Sequence, residues 1–175
     1  MSKTHYLLFA ASAFALSACF GSSSGTTSLE MPNDTPLEAM PTSGSATYSG
    51  AMTGIRGDGN MSFEGNMSMT ANFAEGGGTI TDANLTIDGA TGAFTQDGAH
   101  PFMGNEYENL EMGGSIVVDG NTIASNPGNR LLVGGTFSGD AAGSVSANLG
   151  GAVETPEGRM SVTGGRGVLT AQPAP

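Results

Sequence analysis

The sequence predicts an all-β fold: an antiparallel up-and-down β-barrel of about eight strands, behind a signal peptide and a flexible tether. Three observations predict it. The first is the stretch 61–73. Met61, Phe63, Gly65, Met67, Met69, Ala71 and Phe73 alternate with Ser62, Glu64, Asn66, Ser68, Thr70 and Asn72. Such a period of two is that of a long strand with one buried and one wet face. A helix would gather Met61, Glu64, Gly65 and Ser68 on one face, which defines no apolar surface. The second observation is that the same alternation recurs along the chain, punctuated by glycine-rich and Asp-Gly turns. The third is composition. There are 29 glycines, no tryptophan and only 12% charged residues, which suits short turns and closely approaching strands. The 8 prolines and the lack of a Gly-X-Y period exclude a collagen-like chain.

Taken in order, residues 1–18 form the leader. Lys3 precedes an apolar run that ends at Ala18, too short to span a bilayer as a helix. The junction Leu16-Ser17-Ala18-Cys19 resembles the lipobox of bacterial lipoproteins. The resemblance implies that the leader is removed before Cys19 and that Cys19 is acylated, making the bilayer a partner of the mature chain. Each buried CH₂ of an acyl chain adds about 0.8 kcal/mol of anchoring. In that family an Asp after the cysteine marks inner-membrane retention. Phe20 stands here instead, which implies the outer membrane. Cys19 is the sole cysteine, so no intramolecular disulfide forms. Residues 19–43 are rich in Ser, Thr, Pro and Gly and read as the lipidated flexible tether, with a reach of roughly 25 Å. Pro32, Pro36 and Pro41 interrupt a weak helical tendency over 28–40.

Residues 44–172 are the predicted barrel domain. Ala46, Tyr48, Gly50, Met52 and Gly54 share one parity and make the first strand. The turn Gly57-Asp58-Gly59-Asn60 leads into 61–73. A third strand covers 79–88, where Ile80 is out of phase with Leu85 and Ile87, so a one-residue bulge near Asp82 is expected. Phe94 marks a short fourth strand. Residues 97–109 show no period and read as an irregular loop. Leu110, Met112, Gly114, Ile116 and Val118 resume the alternation, and Asp119-Gly120-Asn121 turns the chain into 122–125. The inward rows that follow are Leu131, Val133, Gly135 and Phe137, then Gly143, Val145, Ala147, Leu149, Gly151 and Val153, opposed by Ser144, Ser146, Asn148 and Glu154. In the last strand Met160, Val162 and Val168 point inward. Arg166 shares their parity, so either a glycine bulge at 164, 165 or 167 sends it to solvent or it is buried with a carboxylate partner. Barrel closure removes free edges, with a flattened sandwich as the alternative. The inward mixture of Gly, Ala, Met, Phe and Val fills a narrow barrel and leaves no wide lumen. A membrane-spanning barrel is disfavoured by the absence of aromatic girdles and by the ending Gln172-Pro173-Ala174-Pro175.

The segment 134–150, with Gly135, Phe137, Gly139 and Ala142, resembles the Gly-x-Phe-x-Gly-x-x-Ala signature of transferrin-binding-protein-B-like bacterial lipoproteins. Asp140 stands where that signature usually has Pro, and its acidic residue and Gly-Gly pair are displaced. Ala46-Thr47-Tyr48-Ser49-Gly50 resembles the family's opening strand. Asn72-Phe73-Ala74 followed by Gly78-Thr79-Ile80 resembles one of its hairpins. Over about residues 44–171 the resemblance implies an eight-stranded barrel exposed on an outer membrane, binding a host protein or solute. It does not carry transferrin binding, because this chain is too short for the handle region of the host-binding members.

Charge and inventory narrow the function. The formal net charge of −11 repels nucleic acid. With Cys19 acylated, as the lipobox resemblance implies, and His100 the only histidine beyond the leader, a triad is left only a serine paired with His100, and no Gly-x-Ser-x-Gly elbow supports one. Several zinc ligands are missing too, so neither an enzyme nor a metal or cofactor site is expected. The Asp-Gly pairs at Asp58, Asp88, Asp97 and Asp119 lack a calcium-loop pattern and read as turns. Glu106, Glu108 and Glu111 read as a solvated edge. The preferred reading is a non-catalytic binding module on an outer-membrane surface lipoprotein, for a host protein or small solute. The rival is a structural envelope lipoprotein with no specific ligand. Binding modules carry aromatics on loops over a rigid scaffold. Residues 99–107 are the stretch that fits, so His100, Phe102 and Tyr107 are the candidate contacts, with Phe102 as a barrel-end plug the alternative.

Overall fold

The computed structural model describes residues 32–173. The predicted leader 1–18, Cys19 and the start of the tether lie outside the described residues. Ten strands follow: β1 (Ser45–Arg56), β2 (Ser62–Ala74), β3 (Gly77–Ile87), β4 (Thr91–Gln96), β5 (His100–Met103), β6 (Glu106–Val118), β7 (Asn121–Ser125), β8 (Leu131–Ser138), β9 (Ser144–Thr155) and β10 (Gly158–Ala171). Each pairs antiparallel with its neighbours, and β10 pairs with both β9 and β1, so the sheet closes on itself. The expected all-β barrel is present.

The ten strands fill eight positions in the ring. Strands β4 and β5 lie one after the other between β3 and β6, and β7 and β8 do the same between β6 and β9. The first of these broken positions is interrupted at 97–99. The second makes an excursion at 126–129, where Asn126 and Asn129 bridge each other and Asn126 Oδ1 accepts the N–H groups of Gly128 and Asn129. Arg130 links both breaks across β6: its Nη1 lies 3.0 Å from Asp97 and 2.5 Å from Glu111. Ser125 Oγ, buried, accepts the Leu131 N–H at 3.1 Å and donates to the Met112 carbonyl, carrying the ladder over the gap.

Bulges put the apolar residues inside. The one in β3 falls where the phase of Ile80 requires it: Thr70 pairs with Asp82 and Ala71 with Ile80, leaving Thr81 unpaired. In β1 a shift between Met52 and Ile55, with Gly54 at φ 69°, brings Ile55 inward. In β10 the shift between Val162 and Gly165 turns Arg166 out to solvent. The same shift reverses the later parity, so Leu169 is buried and the expected inward Val168 is not. Ser144 and Ser146 also differ from expectation and are buried. Strand β8 takes up both hydroxyls: Ser146 Oγ accepts the Thr136 N–H at 2.8 Å, and Ser144 Oγ donates to the Ser138 carbonyl at 3.2 Å.

Two further expectations are corrected. Residues 97–109 are not an irregular loop. Their middle is β5, whose registry Ile80↔His100 to Gly77↔Met103 continues the β4 path after the break. The chain is also ordered well before residue 44. Asp34 bridges Ser138, Thr35 N donates to the Phe137 carbonyl at 2.9 Å, and Thr35 Oγ1 donates to the Gly139 carbonyl at 2.7 Å. Thr35 is fully buried, so residues 33–35, expected to belong to the tether, form a strap on the barrel.

Candidate functional site

The pairing registry defines two ends. Ser45 pairs with Asn72 and Tyr48 with Ala171, so the chain enters and leaves at the end that carries the 75–76, 104–105 and 139–143 turns. The opposite end carries the turns after β1, β3, β6 and β9. At about 3.3 Å per residue and a tilt near 40°, a strand the length of β1 sets the two ends about 30 Å apart.

Aromatic rings close the entry end. Phe137 is fully buried and touches four of them: its ring centroid lies 5.7 Å from Tyr48, 5.5 Å from Phe73, 4.9 Å from Phe102 and 6.3 Å from Tyr107. Both phenols hydrogen-bond to backbone. Tyr48 Oη donates to the Ala142 carbonyl at 2.8 Å and Tyr107 Oη to the Ser146 carbonyl at 3.0 Å. Burial disfavours the phenolate, pushing the Tyr48 pKa up to about 12 and that of Tyr107 well above its ordinary value.

Two of the three sequence candidates belong to this plug. Phe102 is 4% exposed and Tyr107 2% exposed, so neither ring offers contact area to a partner. His100, on the same face of β5 two residues before Phe102, is half-buried beside the chain break. The reason for the difference is strand formation. Once β5 pairs with β3, alternation aims Phe102 inward, and a bulge between Tyr107 and Leu110 with Asn109 at φ 56° does the same for Tyr107.

The opposite end is open. A pocket of about 520 Å³ lies among the turns after β1, β6 and β9, within the range of small-molecule sites. Phe63, Val118, Ile123 and Met160 give it an apolar floor, and Met61 stands at its side 43% exposed. Local chemistry fixes the walls. Asp119 and Gly120 both have positive φ, 49° and 80°, the geometry of a two-residue hairpin turn with the twist of its strands. Asp58 Oδ2 accepts the Ser161 N–H at 2.9 Å, tying the turn after β1 to β10. Thr155 Oγ1 donates to the Gly158 carbonyl at 2.9 Å, closing the turn at Pro156-Glu157.

Below the floor the barrel is filled. Phe63, Ile123 and Met160 also line a void of about 30 Å³ with no polar lining, which offers a water no hydrogen-bond partner. The rim is charged unevenly: Asp58, Asp119 and Glu157 face a single Arg159. Among the described residues the ion pairs are those of Arg130, so these rim charges have no partner within 4.0 Å.

No protein family and no curated protein sequence matches this chain.

Sequence reasoning passed over this mouth because its parts were read separately, as three turns and three core positions. The one available signal was Met61, the end of an inward row placed directly after a turn.

Proposed function

We propose that this protein is a non-catalytic binding module of an outer-membrane lipoprotein, anchored through an acylated Cys19, that holds a small solute or a segment of a host protein in the barrel mouth. The observation that carries the reading is the open apolar-floored pocket at the end opposite the chain's entry. A tether attached at the entry end turns that pocket away from the bilayer, toward whatever reaches the surface. The filled interior restricts the ligand to the mouth. The plugged entry end gives the mouth a rigid base, so little ordering accompanies binding. The lipobox resemblance and the resemblance to transferrin-binding-protein-B-like barrels support the same reading.

The test compares what the wild-type protein retains after purification from its own envelope with what an Ile123→Trp variant retains. Ile123 lines the mouth, and Trp there fills it. Mass spectrometry of extracted solutes and co-purified proteins is expected to show a species that the variant loses while its circular dichroism stays native. If both folded proteins retain the same species, or none, a structural lipoprotein with no specific ligand replaces this reading.

A further inference from the structure

We propose that the mouth selects a cation bearing an apolar chain or ring. The inference rests on the mouth being the binding site and goes further, to the class of its ligand. Two independent features point the same way. The floor of Phe63, Val118, Ile123 and Met160, with Met61 exposed beside it, offers apolar contact that water does not satisfy. Met side chains on such a surface adapt to ligand shape. The rim sets Asp58, Asp119 and Glu157 against Arg159, and none of the four is ion-paired among the described residues. Asp58 spends one oxygen on the Ser161 N–H, which fixes its carboxylate at the rim.

Geometry makes the two features cooperate. Charges at the lip of a pocket with low-dielectric walls focus their field into it. A cationic head at the lip keeps its hydration on the outer side while its apolar part covers the floor. An anion of the same shape meets three carboxylates instead. The net charge of −11 adds a long-range term of the same sign.

The experiment uses the chain from residue 19 onward with Cys19→Ser, which removes the acylation site and alters no described residue. Its methionines carry ¹³C-labelled methyl groups. Octyltrimethylammonium, octyl glucoside and octyl sulfate are each titrated below their micelle thresholds at low salt. Met61 and Met160 report on the mouth. Met103, 83% exposed at the opposite end, reports non-specific adsorption. The expected result is saturable shifts of Met61 and Met160 with a still Met103, and an apparent affinity for the cation about tenfold above that for the neutral probe. The anion is expected to bind weakest. An Asp119→Asn, Glu157→Gln variant is expected to lower the affinity for the cation to the level of the neutral probe on the same variant. Equal affinity for all three at Met61 and Met160 overturns the cation preference while the mouth stands as the binding site. No saturable shift there, or equal shifts at Met103, overturns both.

Discussion

Phe137→Ala tests whether the aromatic plug holds the entry end together. The ring is fully buried at the centre of four others, with centroid distances of 4.9 to 6.3 Å. Truncating a buried Phe costs about 3–5 kcal/mol, and the cost rises with the cavity that cannot collapse. Collapse is hindered here. Tyr48 and Tyr107 are pinned by hydrogen bonds to the carbonyls of Ala142 and Ser146, and the Phe137 backbone is held on both sides by Thr35 and Asn105. The upper half of the range, about 4–5 kcal/mol, is therefore expected. For a domain of this size about 3–4 °C of melting temperature accompany each kcal/mol, so the midpoint falls by about 12–20 °C. Thermal unfolding followed by far-UV circular dichroism measures it. Phe63→Ala is the internal comparison. Phe63 is only half-buried, at the mouth, and its loss is expected to cost less than about 2 kcal/mol. If Phe137→Ala melts within about 5 °C of wild type, or no lower than Phe63→Ala, the plug is not a keystone and the reasoning fails.

Further outcomes follow from the same structure. The chain beyond the leader has two tyrosines, both buried with raised pKa values. Their folded-state pKa lies above the unfolded value near 10, so stability is unaffected below pH 10 and falls as pH rises toward and beyond 12, by up to about 1.4 kcal/mol per unit for each phenol. Phenolate absorbance at 295 nm should appear together with loss of circular dichroism; appearance near pH 10 in a folded protein contradicts the burial. Thr35→Val keeps the strap's backbone bond and removes its hydroxyl donor to Gly139, with an expected loss of about 0.5–1.5 kcal/mol in urea unfolding. An unchanged midpoint would show that the hydroxyl bond adds nothing to the fold. Radiolabelled palmitate should enter the wild-type protein and not a Cys19→Ala variant; equal labelling sinks the lipid anchor.

The barrel was legible because its signal is local. Period two in 61–73 fixed β2, and the phase slip at Ile80 located the bulge in β3 to within a residue. Arg166 was legible as a dilemma, and a shift at neighbouring glycines resolves it toward solvent. The misreadings came from long-range pairing. Strand β5 holds only His100–Met103, too short for a period, and it exists because β3 and β6 flank it. Thr35 lies in a tract of turn-forming residues with no hydrophobic signal, and it is buried because the end of β8 offers carbonyls to it. The mouth is a further step away. Its residues come from turns and strands spread from Asp58 to Met160, and only closure of the ring brings them together.

That closure has a kinetic side. The seam joins β1 to β10, with Tyr48 opposite Ala171 and Arg56 opposite Thr163, the two ends of the folded chain. Hairpins such as β2–β3 form from near neighbours, but the seam needs a loop spanning almost the whole domain, and such contacts are slow to form. Until β10 is present, β1 and β9 each keep an open edge and no ring exists. During synthesis from the N-terminus the ring therefore closes last, only once β10 is free to pair with both neighbours.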